Sequence, residues 1–158
     1  QAGAESAFSI LSQGLSGLNL IHDVGYLGAG MICSPEMLVM GDEICAMTRH
    51  FLRGMTVNPD TLAAEVIDQV GPGGNFLQSP HTFKHFKNET WFPTIMEREY
   101  QEKWDERGRP TIQDKVREKL ATIIDSHEPV ALGAHELSEL ERLRAEGEDV
   151  LAKAAARQ

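Results

Sequence analysis

The chain has 158 residues with 15 Lys and Arg against 24 Asp and Glu, a formal charge of −9. That length suffices for one domain with its own core, and the acidic balance with no basic cluster excludes a nucleic-acid binder while admitting a neutral or cationic small ligand. Two cysteines, Cys33 and Cys45, are too few for a disulfide scaffold and make no CxxC pair, no apolar run reaches about 18 residues, and no basic n-region opens the chain, so a cytoplasmic protein with no membrane partner is expected.

The chain opens without an initiator Met, at QAGAESAF, already in helical sequence. Either the start is processed away or this is a piece of something longer, and the piece is the preferred reading. Residues 3 to 16 form a predicted small-residue helix with Phe8, Leu11 and Leu15 at helical spacing, broken by Gly14 and Gly17. The apolar run Leu18, Leu20 and Ile21 reads as a short buried strand that delivers His22 and Asp23 into a glycine-studded loop (Gly25, Gly28, Gly30). A strand that ends in polar groups is how parallel α/β proteins build sites.

Ser34-Pro35-Glu36 then starts a helix that Gly54 ends. Its apolar residues, Leu38 to Leu52, cover more than one face, and Asp42, Glu43, Arg49 and Arg53 form a narrow wet stripe. Residues 55 to 57 read as a short strand or a connector. Asn58-Pro59-Asp60 begins another helix, stopped by Gly71-Pro72. The loop GPGGNFLQS (71–79) is long enough for a lid or binding loop, and Ser79-Pro80 caps the short helix HTFKHFKN. Met96, Tyr100 and Trp104 stack at i, i+4, i+8 on a predicted charged helix. Val116, Leu120, Ile123 and Ile124 mark a further helix, and residues 133 to 155 form a last amphipathic one whose final residues, AAARQ, are expected to fray. Helix content is therefore high and strand content low, and one αβ step makes no sheet alone; the remaining strands are expected upstream.

Three constellations bear on chemistry. His22 at a strand end binds or polarises a ligand with Asp23 orienting its ring, or else it is a structural histidine satisfying a buried carbonyl. Tyr26 offers either a π-face for a quaternary ammonium or plain packing. His81 and His85 have the i, i+4 spacing of a two-histidine metal half-site, but the HExxH glutamate is missing because residue 82 is Thr. A third ligand has to come from Glu89 or a distant residue, so polar anchoring or packing is preferred and no metal is expected. The GPGG loop lacks the GK[ST] that a phosphate cradle needs, and no nucleophile elbow is present.

QAGAES (1–6), NLIHDVGYLGAGMICSPEMLVMGDEI (19–44), GPGGNFLQSPHTFKHF (71–86) and TWFP (90–93) resemble the C-terminal part of the trimethylamine methyltransferase family, which includes glycine betaine methyltransferases. The resemblance implies the final βα units of a TIM barrel over residues 1–93 and a helical extension over 94–158. It implies methyl transfer from a methylated or quaternary amine to the cobalt of a cognate corrinoid protein. The cobalamin is then carried by that partner and none is bound directly. His22 is carried over as catalytic, His22, Asp23 and Tyr26 as substrate-side wall, and His81 and His85 as rim or partner contact. No counterpart of the family's pyrrolysine position is identifiable, so trimethylamine and a betaine-like substrate both stand. An incomplete barrel is expected to lack methyl-transfer activity alone, and to self-associate as a dimer through apolar faces. The alternative is a non-catalytic helical interaction module, in which His22 is enclosed by protein.

Overall fold

The computed structural model describes residues 1–156. The chain divides into two compact units, Gln1–Ile124 and a second from Asp125 onward. The first begins with α1 (Ala2–Leu15), then a hairpin of β1 (Tyr26–Leu27) and β2 (Ile32–Cys33), and α2 (Pro35–Leu52). It continues through α3 (Pro59–Leu62), α4 (Ala64–Val70), a 3-10 turn at Phe76–Gln78, α5 (Pro80–Glu89), α6 (Gln101–Glu106) and most of α7 (Ile112–Ser126). The second unit carries α8 (Ala134–Ala155); of the residues expected to fray, AAARQ (154–158), Ala154 and Ala155 stand in α8, and Arg157 and Gln158 lie outside the described residues. The protein is mostly helical, and the antiparallel hairpin is the only sheet among the described residues. No helix among them is long and apolar enough to cross a membrane.

The punctuation of α2 is local chemistry. Ser34 sits in extended backbone, its hydroxyl accepts from the Met37 N–H at 3.2 Å, Pro35 fills the first turn, and Gly54 takes φ +69° beyond the end. Along α2, Val39 packs with Ile95 and Val116, flanked by Met40, Ile112 and Leu120. Ile44 is 1 % exposed, and Ile10 of α1 is likewise buried. The same helix takes α1 against its other end. Gly14 of α1 lies so close to Leu52 that an added Cβ would stand 2.6 Å from Leu52 Cδ1.

Four expectations are corrected. Leu18–Ile21 is not a strand: Leu18 and Leu20 are 53 % and 80 % exposed, and the segment is irregular. A buried parallel strand needs hydrogen-bonding neighbours on its edges, and among the described residues none is beside it. Met96 and Tyr100 are not on a helix with Trp104, because α6 starts only at Gln101 and Tyr100 is exposed. The segment over 58–70 is broken at Ala63, whose φ of +50° separates α3 from α4, and residues 55–57 are a connector. Glu43 does not belong to a wet stripe; it is 2 % exposed. Residues on either side of 93 share one core, since Ile95 packs with Val39 and Val116.

Glu43 closes that core from within. Its Oε1 accepts from the backbone N–H groups of Thr94 (2.8 Å), Ile95 (3.0 Å) and Met96 (3.3 Å), and its Oε2 accepts from Thr94 Oγ1 at 2.6 Å. Burial pushes this carboxyl up, but the hydrogen bonds from Thr94, Ile95 and Met96 outweigh it and hold the pKa below the ordinary range. A carboxylate collecting three N–H donors fixes the 94–96 turn against α2. Glu97 continues the clamp, its Oε2 lying 2.7 Å from both Lys115 Nζ of α7 and Arg107.

Candidate functional site

Between α1 and α2 the chain makes two tight reversals. In the first, Asp23 adopts φ +66° and Gly25 φ +90°, and the Tyr26 N–H donates to the Asp23 carbonyl at 3.2 Å. In the second, Ala29 (φ +57°) and Gly30 (φ +80°) are the central residues of the hairpin turn, closed by Met31 N–H to Gly28 O at 3.2 Å. Positive φ at both central residues is the type I′ pattern that matches hairpin twist. Tyr26 pairs with Cys33 and Leu27 with Ile32.

Two glycines seat this loop on α2. An added Cβ at Gly41 would stand 2.4 Å from Val24 Cγ1, and one at Gly25 would stand 3.0 Å from Leu38 Cβ. Val24 is thus pressed on the helix, which fixes the residues on either side of it.

A hollow of about 360 Å³ opens here, with His22, Asp23 and Tyr26 on its wall beside Glu5, Ser6 and Ser9 of α1. The structure therefore brings His22, Asp23 and Tyr26 to one concave surface. His22 Nδ1 lies 2.6 Å from Asp23 Oδ2, so the carboxylate orients the ring, and the His22 side chain is 76 % exposed. An enclosed, structural histidine is not what stands here. The setting differs from the expected one in its support, which is a turn packed on α2 and not a strand end. Glu5, Ser6 and Ser9 were missed, because nothing within the first helix shows which face the loop at 22–30 will meet.

His81 and His85 are not on this wall. They stand on α5, ring centroids 4.3 Å apart, and meet Asp60 of α3. His81 Nε2 is 2.7 Å from the Asp60 carbonyl oxygen and 4.0 Å from Oδ1; His85 Nε2 is 3.1 Å from Oδ2, which also accepts from Lys84 Nζ at 2.7 Å. The hydrogen bond from Lys84, reinforced by the charges of Lys84 and the two histidines, holds the Asp60 carboxyl below the usual carboxylate range. Asp60, read from sequence only as part of a helix start, is the distant carboxylate that the histidine pair lacked.

The wall at His22 carries two carboxylates, hydroxyls and an aromatic face, groups whose chemistry can attract a cation. That constellation lies in residues that match, with the rest of 1–148, the family model of trimethylamine methyltransferase (MTTB). The chain belongs to the trimethylamine methyltransferase family. Among its relatives, the glycine betaine methyltransferase of Desulfitobacterium hafniense is 36 % identical over 84 % of this chain and 28 % of its own length. Trimethylamine methyltransferase MttB1 of Methanosarcina mazei is 34 % identical over 80 % of this chain and 26 % of its own length. MttB of Methanosarcina barkeri is 30 % identical over 90 % and 29 %. The chain thus spans under a third of the length of these curated relatives.

Proposed function

We propose that this chain supplies the amine-binding wall of a corrinoid-dependent methyltransferase, which moves a methyl group from a methylated or quaternary amine, of the trimethylamine or glycine betaine kind, to cobalt. The reading includes a TIM barrel of which residues 1–93 are the C-terminal units. The reduced cobalt of a corrinoid held by a partner protein supplies the nucleophile. A hollow of about 360 Å³ has room for a small amine.

The work left to this chain is to hold the amine, aim one methyl group and keep water away. Asp23 and Glu5 balance the positive nitrogen, and Tyr26 presents its ring to the methyl-bearing cation. His22, held by Asp23, orients the bound amine from its exposed ring. The observation that carries the reading is that these groups share one concavity in a chain of this family.

The test is calorimetric titration with tetramethylammonium, trimethylamine and glycine betaine. Binding is expected to weaken by roughly three- to thirty-fold in Tyr26→Ala, as a lost cation–π contact requires. Asp23→Asn is expected to weaken the cationic amine. Equal binding by the wild type and both variants would overturn the assignment.

A further inference from the structure

We infer that Asp60, His81 and His85 form a binding site for a divalent transition-metal ion of the zinc kind, which clips α5 to α3 across the base of the glycine loop at 71–79. The inference does not depend on the amine site. Three features of the cluster carry it.

The donor set is the first. One imidazole nitrogen from each histidine and one carboxylate oxygen lie within 4.8 Å of one another. Two histidines and a carboxylate are a borderline donor set that suits zinc and its neighbours, not calcium or magnesium. With bonds of about 2.0–2.1 Å in tetrahedral array, ligand atoms stand roughly 3.3 Å apart. His85 Nε2 stands 3.1 Å from Asp60 Oδ2, close to that value, and His81 Nε2 stands 4.0 Å from the other oxygen, Oδ1, so a small carboxylate rotation completes the set.

The second is an orphaned nitrogen. His85 Nε2 is sealed from solvent and makes no hydrogen bond; its 3.1 Å approach to Asp60 Oδ2 is too poorly aligned for one. A buried ring nitrogen that makes no hydrogen bond costs stability unless something else engages it. A metal ion does so. At His81 Nε2 it replaces the hydrogen bond to the Asp60 carbonyl.

The third is topology. His81 and His85 are one turn apart on one face of a helix that Pro80 opens, whereas Asp60 comes from another helix 21 residues before His81. A ligand set drawn from two elements cross-links them, which restrains the loop between more than any single helix can.

Lys84 is the competitor. Its ammonium sits 2.7 Å from Asp60 Oδ2, so a divalent ion has to displace it, and with a side chain 64 % exposed it is free to swing into solvent. This makes the decisive variant one that keeps every ligand. The chain, stripped with chelator, is titrated with Zn²⁺ and with Co²⁺, reading heat, the visible d–d absorption of cobalt and the thermal midpoint. One equivalent is expected to bind, with a tetrahedral cobalt spectrum and a raised midpoint. His85→Ala and Asp60→Asn should each weaken binding by about 100-fold, no less than the upper range for outer-shell partners. Lys84→Met should tighten it. If instead the cluster is a metal-free polar knot, Lys84→Met lowers the midpoint and added ion restores nothing. That result, or zinc binding unchanged in the His81→Ala/His85→Ala double variant, overturns the inference.

Discussion

Glu43 is the residue on which the packing of the first unit turns. It accepts four hydrogen bonds, three from consecutive backbone N–H groups, with its side chain out of water. Removing the acceptor strands those donors, so Glu43→Ala should destabilise the protein by about 3 kcal/mol in denaturant unfolding. Glu43→Gln should cost less, because its amide oxygen keeps the N–H contacts and the Thr94 hydroxyl can reverse to accept. The pH dependence has a definite sign. Both Glu43 and Glu97 have folded pKa values below their ordinary 4.5, Glu97 at about 2 chiefly through its hydrogen bond from Lys115. Their stabilisation is complete above about pH 4.5 and is lost as pH falls through the lowered values. Unfolding followed from pH 5 to pH 2 should show the wild type losing stability more steeply than Glu97→Gln; parallel curves would contradict this. Glu43 was not legible in the sequence. A helical projection shows which residues share a face, but not that residues 51 to 53 positions later will bring their amides to it.

Among the elements, helices with chemical punctuation were readable and unsupported strands were not. Ser34, Pro35 and Gly54 bound α2 as their chemistry requires, since capping is decided within one turn. Leu18–Ile21 carried the right residues for a strand, yet a strand is defined by neighbours that the local sequence does not contain. The place of His22, Asp23 and Tyr26 beside one hollow was legible; that a turn on α2 holds them there was not. Their position depends on Gly41, where a Cβ would meet Val24 Cγ1 at 2.4 Å. Gly41→Ala should therefore destabilise by about 1–3 kcal/mol through overpacking and shift the amide resonances of residues 22–26. Gly147→Ala, on α8 where a Cβ meets nothing within 4 Å, should instead stabilise its helix by up to about 1 kcal/mol. Equal effects of the two substitutions would show that Val24 does not seat the loop.

For the whole molecule, the balance of apolar groups matters most. Among the described residues only Ile10, Val39, Ile44, Ile95 and Val116 are buried apolar side chains of the core, while Phe8, Leu20, Met31 and Leu77 are each at least 75 % exposed. On α8, Leu137, Leu140 and Leu143 are about half exposed, beside surface ion pairs such as Arg142–Glu139. Faces of this kind drive association, so light scattering at high concentration should find a dimer; a monomer throughout would count against it. The central claim is that the concavity beside His22 holds a methylated amine. Its most direct test is amide-resolved NMR of the chain titrated with glycine betaine and with trimethylamine. Shifts confined to Glu5, Ser6, Ser9 and residues 22–30 are predicted, whereas no shifts, or shifts centred on α5, would contradict the account.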